Sequence, residues 1–304
     1  MRGSATGQKS GGLRAPLHVA AAGGAAGLLA ADQQSTAWGL WASYGKSKFE
    51  GNVPAVPYRA DLDSVRLGAD RSFGPRHVLG AALTVERMDT KTRFNGGGQD
   101  SDAYMITPYY LFVLNETFSV DVNAGVGRNK VKQNRIDPTS TAGAPQILSS
   151  SFDGTRYFAS GTLTGSRNVG NVLLGGRAGY LEARERQDGY TESGGPSALP
   201  VSRRTLKLGQ VFGILDAGYA LTANLEVYAS GAVRHDVRLS DGGTGGGLPG
   251  GGNPVPGDRT GYDLTLGLRF FGYRGISGYA EVMKVLGRDQ LEHKALNLLV
   301  RMDL

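Results

Sequence analysis

The chain has 304 residues, enough for one large β domain or two ordinary ones, and a formal net charge of +6. Its mean hydropathy of −0.24, with no run of about 18 apolar residues beyond the N-terminal region, argues against a helical membrane protein. Strands that alternate apolar and polar residues average to neutral hydropathy, so both values are compatible with a membrane barrel. Cysteine is absent, which excludes a disulfide framework, and glycine is about twice as frequent as usual. Lys and Arg are scattered rather than clustered, so no nucleic-acid partner is expected.

The first 35 residues differ from the rest of the chain. Residues 1–12 resemble a vector-derived or disordered leader and are left out of fold reasoning. Residues 13–34 are rich in Ala and Leu and poor in β-branched residues, which favours a helix. A signal peptide is the alternative, with the Leu-Leu-Ala-Ala run before Asp32 as its cleavage end.

From residue 36 onward, the pattern is strand, turn, strand. Alternating apolar and polar residues between turn signals predict about twelve strands. In chain order, these strands include 37–48, 65–69, 79–85, 103–114, 120–126, 152–168, 172–184, 205–221, 226–237, 262–270, 276–286 and 296–304.

The predicted connections alternate in length. Short turns fall near residues 74, 115, 170, 222 and 274, and long loops near 54, 98, 143, 197 and 250. Short turns on one side and long loops on the other are typical of a bacterial outer-membrane barrel, with periplasmic turns and extracellular loops. A soluble β-sandwich also alternates, but its strands are usually shorter and it seldom has this loop asymmetry. We therefore predict an all-β fold: a closed, antiparallel transmembrane β-barrel of about twelve strands with an N-terminal α-helix in its lumen.

Aromatic residues near the predicted strand ends suggest girdles at the membrane interfaces. The residues concerned are Trp38, Tyr109, Tyr110, Tyr219, Phe270, Phe271 and Tyr273.

The last nine residues alternate almost without a break. One face of this strand carries the apolar side chains of Leu296, Leu298, Val300, Met302 and Leu304. Asn297, Arg301 and Asp303 occupy the other face, where Leu299 is the one apolar exception. We expect this strand to close the barrel against the first strand, because an exposed apolar edge would invite aggregation.

A small-residue helix followed by about twelve strands and an apolar C-terminus resembles the translocator domain of an autotransporter, type V secretion. The segments that carry the resemblance are AWGLWASYG (37–45), AYMITPYYLF (103–112), FSVDVNAGVG (118–127) and ALNLLVRMDL (295–304). The resemblance implies three parts: a leader of residues 1–12, a pore-spanning helix or linker of residues 13–35, and a translocator barrel of residues 36–304. The stretch before the first strand is too short to be a passenger, so the chain is interpreted as a translocator fragment.

The resemblance also implies a function and partners. In this family, the barrel lies in the outer membrane of Gram-negative bacteria and exports a covalently linked N-terminal passenger without ATP. The implied partners are outer-membrane lipid, the passenger, periplasmic chaperones and the barrel-assembly machinery, and the implied state is a monomer. The implied assembly signal is the terminal apolar face, Leu296, Leu298, Val300, Met302 and Leu304. The family usually ends in Phe or Trp, whereas this chain ends in Leu304.

Charged residues of both signs are predicted on the lumen side of the strands. They are Arg66, Glu86, Asp121, Arg177, Arg234, Arg269, Glu281 and Arg301. One interpretation is that some of them hold the N-terminal helix in the pore, with Arg14 or Asp32 as their partners. The other is a solvated wall whose charges form cross-strand ion pairs.

Two other functions were considered. An outer-membrane hydrolase would need converging catalytic groups, but the one adjacent acid–base pair, His235-Asp236, should point to opposite faces of its strand. His18, His77 and His293 lie elsewhere, and no metal-ligand spacing is visible, so no enzyme activity, cofactor or metal is expected. A stand-alone porin remains the main alternative, because about twelve strands would enclose a narrow channel that the helix could plug.

Overall fold

The computed structural model describes residues 38–52, 57–93, 95–141, 143–240, 259–273, 275–288 and 291–304. The N-terminal predictions, including the helix at 13–34 and its residues Arg14 and Asp32, lie outside these ranges. Among the described residues, no helix is both long and apolar enough to cross a membrane.

The described part of the chain contains fourteen strands. They are β1 Trp38–Gly51, β2 Tyr58–Phe73, β3 His77–Thr92, β4 Gly97–Val113, β5 Phe118–Ile136, β6 Ile147–Val169, β7 Val172–Gln187, β8 Tyr190–Thr191, β9 Pro200–Val201, β10 Arg204–Ala220, β11 Leu225–Ser240, β12 Thr260–Tyr273, β13 Ile276–Leu286 and β14 Leu291–Asp303. Twelve of them form a closed antiparallel barrel, and β8 and β9 pair as a small separate hairpin.

The barrel closes between its first and last strands. β1 pairs with β14 over thirteen positions, from Gly39 opposite Asp303 to Gly51 opposite Leu291. All other barrel strands pair with their neighbours in chain order, except that the β8–β9 hairpin interrupts the step from β7 to β10. The predicted twelve-strand antiparallel barrel is confirmed.

The turns follow local backbone chemistry. Gly74 and Gly170 have positive φ angles of 67° and 60°, which a tight turn between strands requires and which glycine adopts without strain. Asn115 instead accepts hydrogen bonds from the backbone N–H groups of Thr117 and Phe118, each at 2.9 Å, and so closes its turn with a side chain. We call the end of the barrel that carries these turns the short-turn end, and the opposite end the long-loop end.

The strands run further toward the long-loop end than the sequence predicted. The segment 95–102 was expected to be a loop, but β4 already begins at Gly97 and pairs with β3 through Gly98 opposite Lys91. Likewise, β6 begins at Ile147 and β14 at Leu291, each five residues earlier than predicted. The ladders to both neighbouring strands overcome the low strand propensity of the glycines.

Side chains alternate between two environments along each strand. The outer face carries exposed apolar residues such as Leu67, Leu83, Ile106 and Leu266, and the inner face carries polar and charged residues. Two of the predicted girdle aromatics face inward instead: Tyr109 is buried inside, and Phe271 packs against an inner cluster. Tyr109 and Tyr110 are adjacent on one strand, so they cannot share a face.

Candidate functional site: the charged inner wall

The inner wall of the barrel is a set of ion pairs and hydrogen bonds between strands. Buried charged side chains on its wall include Asp70, Glu86, Arg177, Glu185, Asp216, Glu226, Arg234, Asp263, Arg269, Glu281 and Arg301. A charge removed from water is costly unless a partner compensates it, so the partners of these groups decide whether the wall is stable.

The first network bridges the closing seam near the short-turn end. Arg301 on β14 donates to both carboxylate oxygens of Asp70 on β2, at 2.7 and 2.8 Å, although β1 lies between these strands. Tyr109 donates to Asp70 at 2.7 Å and accepts from the indole N–H of Trp41 at 2.8 Å. A Cβ atom on Gly39 of β1 would lie 1.7 Å from the Arg301 guanidinium, so only glycine lets this side chain cross.

An apolar cluster lies beside this network. Leu299, the apolar exception on the inner face of residues 296–304, is 2 % exposed and packs with Trp41, Val78, Tyr109 and other buried residues. The exception in the alternation is therefore a packing residue next to the seam.

A second network spans β3 to β7. Arg156 on β6 donates to Glu185 on β7 at 2.6 Å and to Glu86 on β3 at 3.1 Å, reaching past β4 and β5. Glu185 also accepts hydrogen bonds from Asn129 at 3.0 Å and Gln187 at 2.6 Å. One arginine thus compensates two buried carboxylates, and the amides satisfy the remaining acceptor sites.

A third network covers β11 to β13. Arg234 donates to Asp263 at 2.6 Å, and Arg269 donates to Glu226 at 2.7 Å. The Arg269 guanidinium also lies 3.5 Å from the centroid of the Tyr228 ring. The hydroxyl of that tyrosine donates to Glu281 at 2.6 Å, and this links β11, β12 and β13 in one chain of contacts.

The long-loop end has its own polar contacts. Asp236 accepts hydrogen bonds from Gln210 at 2.6 Å and from Arg288 at 2.9 Å. Further out, Arg135 forms a bidentate pair with Glu192, at 2.7 and 2.8 Å, which fixes the β8–β9 hairpin against the end of β5.

Two carboxyl groups near this hairpin have lowered pKa values. The hydrogen bond from Arg135 lowers the pKa of Glu192, and the hydroxyl of Thr139 is the main group that lowers the pKa of Asp137. Asp137 also accepts the backbone N–H of Ser197 at 3.1 Å, so both carboxylates tie the loop to the barrel in their ionised forms.

The eight predicted lumen residues all occupy inner positions of their strands. Six of them are buried, and Arg66 and Asp121 are half-buried. Asp121 lies near the charge of Arg177, which in turn lies 3.6 Å from Asp216. Cross-strand ion pairs are therefore present, as in the second of the two interpretations. Contact with the N-terminal helix concerns residues outside the described ranges and stays a prediction.

The three histidines of the described ranges, His77, His235 and His293, do not come together. His235 is exposed on the outer face and contacts Thr260 at 2.9 Å, whereas Asp236 is buried on the inner face. His77 contacts Tyr110 at the short-turn end, and His293 stacks on Phe49, with 4.1 Å between ring centroids. Within the described ranges, no group of three or more His, Cys, Asp or Glu residues has a geometry that could hold a metal.

The sequence reasoning missed most of the partners on the wall. Asp70, Glu185 and Asp263 were not singled out, and Tyr109 was predicted to be a girdle residue, although each is central to a network. For Asp70 a signal existed, because Val65, Leu67 and Ala69 define the outer face of its strand and place the next residue inside.

Comparison with known proteins gives a consistent result. The family model described as the autotransporter beta-domain matches residues 40–282. No curated protein sequence is similar enough to match the chain.

Several solved structures share the fold at low sequence identity. The translocator domain of the autotransporter NalP from Neisseria meningitidis aligns with a TM-score of 0.74 and 16 % identity, covering 89 % of this chain and 90 % of that one. The beta domain of the Bordetella autotransporter BrkA aligns with a TM-score of 0.68 and 16 % identity, covering 88 % and 100 %. The transport unit of AIDA-I from Escherichia coli aligns with a TM-score of 0.53 and 10 % identity, covering 92 % and 94 %.

Proposed function

Because this chain belongs to the autotransporter β-domain family, we propose that its outer-membrane barrel exports a passenger, joined to its N-terminal side, to the cell surface without ATP. The observation that carries the proposal is the family match across most of a barrel with an apolar outer face and a charged inner wall. Such a wall tolerates a polar polypeptide in transit, since its ion pairs already satisfy its own charges. The barrel itself carries out no catalysis in this proposal and needs no cofactor.

Residues 13–34 fill the pore as a helix after export and point the passenger toward the cell surface. The inner charges of both signs offer partners for Arg14 and Asp32 on that helix. The support for this step is the inner position of all eight predicted lumen residues, among which Arg66 and Asp121 are the least buried.

The outer face of β14 serves as the recognition signal for barrel assembly. Leu296, Leu298, Val300, Met302 and Leu304 are all exposed on that face. Periplasmic chaperones and the barrel-assembly machinery read this face before β14 pairs with β1, and the assembled barrel acts as a monomer.

Export is tested with a reporter. An epitope-tagged polypeptide with a signal peptide is fused before residue 13, and intact cells are treated with protease. We expect surface digestion of the epitope, while a matched fusion that lacks residues 38–304 stays protected until the cells are lysed. Protection of the full fusion in cells whose barrel shows the heat-dependent gel shift of a folded outer-membrane protein would contradict export.

The pore helix is tested separately by planar-bilayer recording. Deletion of residues 13–34 should greatly raise the single-channel conductance, because the plug is gone. Equal conductance in the two proteins would remove the plugged-translocator proposal and favour a stand-alone porin.

A further inference from the structure

Three lysines form one row across the outer face of the closing seam. Lys294 on β14 pairs in register with Lys48 on β1 and with Lys284 on β13. All three are exposed, and neighbouring strands are about 4.8 Å apart, so the outer two strands of the row are about 10 Å apart. Like charges placed directly opposite each other destabilise a sheet, so this row needs a compensating anion.

The protein supplies only part of that compensation. Glu292 lies 3.8 Å from Lys294, but both side chains are more than half exposed, which makes the pair weak. Asp61 faces Lys48 in register from the β2 side, yet no ion pair within 4.0 Å joins them among the described residues. On the other side of β13, the residue in register with Lys284 is Leu264 on β12, so the row of lysines ends at an apolar side chain.

An apolar groove lies below this row. It has a volume of about 420 Å³, and its lining includes Leu264, Leu266, Val282 and Leu296 together with the lysines of the row. The groove is on the outer face toward the long-loop end, where the exposed apolar surface of the barrel gives way to charged side chains. A cationic rim above an apolar groove has the chemistry to bind an anionic head group joined to a hydrocarbon chain.

We propose that this groove is a binding site for a phosphorylated acyl lipid of the membrane leaflet at the long-loop end. One acyl chain lies along Leu264, Val282 and Leu296, and a phosphate of the head group lies among the ammonium groups of Lys48, Lys284 and Lys294. The bound lipid covers the β13–β14–β1 seam from outside toward the long-loop end, whereas Arg301 and Asp70 bridge the seam from inside near the short-turn end. The proposal requires only the outer-membrane barrel, and it is independent of passenger export.

The site is tested on the full chain in detergent by native mass spectrometry. The probes are a bisphosphorylated, acylated glucosamine disaccharide, the same lipid without its phosphates, and inorganic phosphate. We expect the phosphorylated lipid to bind at least tenfold more tightly than the dephosphorylated lipid, and millimolar inorganic phosphate not to displace it. Equal binding of both lipids, or displacement by free phosphate, would overturn the proposal.

The row is tested with a triple variant, Lys48→Gln, Lys284→Gln and Lys294→Gln. If each lysine contributes about fivefold, the variant should bind the phosphorylated lipid about 100-fold more weakly. The matched control is Lys91→Gln, Lys130→Gln and Lys132→Gln, three exposed lysines on β3 and β5, which should change affinity less than twofold. Equal losses in both variants would show a diffuse charge effect and refute a site. The heat-dependent gel shift verifies that each variant is folded, and the lipid comparison on the unmodified chain needs no variant.

Discussion

Asp70→Ala should destabilise the barrel more than any exposed charge substitution on the same strand. The carboxylate of Asp70 accepts two hydrogen bonds from Arg301 and one from Tyr109, and Asp70 and Arg301 are each 1 % exposed. Among the described residues, the substitution leaves the buried Arg301 cation with Asp303 alone as a side-chain partner, at 2.7 Å. Because breaking a buried pair on one side costs about 3–5 kcal/mol, we expect a loss of about that size in the free energy of unfolding.

The matched control is Asp63→Ala on the same strand. Asp63 accepts a hydrogen bond from Tyr44 at 2.5 Å and lies 3.5 Å from Lys46, but its side chain is 46 % exposed. Exposed pairs contribute at most about 1 kcal/mol, so this variant should remain close to the unmodified protein.

The assay is urea unfolding in detergent micelles, followed by the shift between folded and unfolded bands on gels. A second variant, Asp70→Leu with Arg301→Met, replaces both charges by apolar side chains and should recover most of the loss. Equal midpoints for Asp70→Ala and Asp63→Ala would refute the view that this ion pair holds the seam.

Three further predictions concern particular side chains. Gly39→Ala should destabilise the barrel, because its Cβ would collide with the Arg301 guanidinium. The control Gly231→Ala should not, because its Cβ would meet nothing within 4 Å. The temperature at which half of each variant runs as the unfolded band on gels compares the two. Leu299→Ala should lower the free energy of unfolding by about 2–5 kcal/mol, because it opens a buried cavity, and Leu298→Ala, on the lipid side, should lower it by less. A larger loss for Leu298→Ala in urea unfolding would contradict this prediction. The loop contacts of Asp137 and Glu192 should be sensitive to acid: their lowered pKa values stabilise the folded loop fully above the ordinary values of about 4, and this stabilisation decreases as pH falls below those values and is lost as pH passes through the lowered ones. A spin label on Pro196→Cys, unique in a chain without cysteine, should be immobile at pH 7 and should become progressively more mobile as pH falls below about 4, and a pH-independent spectrum would contradict the assignment.

The barrel was predictable because its local signals agree. The glycine at the preceding turn and the strand-like run over 276–286 gave the bounds of β13 without error, and the closed twelve-strand sheet followed from repeated patterns of strand and turn. The failures occurred where neighbouring strands decide the outcome. Gly97 and Gly98 have low strand propensity, but Gly98 pairs with Lys91 on β3 and with Asn134 on β5, so the ladder extends through them.

The networks of the wall could be predicted only in part. Alternation places Asp70 and Arg301 on the inner face, but they are 231 positions apart in sequence. Their contact depends on the register at the closing seam and on the absence of a side chain at Gly39. Neither the register at the seam nor the space at Gly39 is encoded in the period of a single strand, which is why the eight lumen residues were placed on the correct face while their partners were not identified.

The two faces of β14 carry separable tasks. Its inner face contributes Arg301 and Leu299, which stabilise the closed barrel by contacts with residues of β1, β2 and β4. Its outer face carries the apolar side chains that we propose as the assembly signal. Successive residues of a strand point to opposite sides, so a substitution on one face leaves the other intact. Outer-face changes such as Leu298→Asn should therefore lower the amount of barrel that reaches the membrane, while the molecules that arrive keep their stability. Inner-face changes such as Leu299→Ala should have the opposite effect, with normal delivery of a barrel that opens more easily.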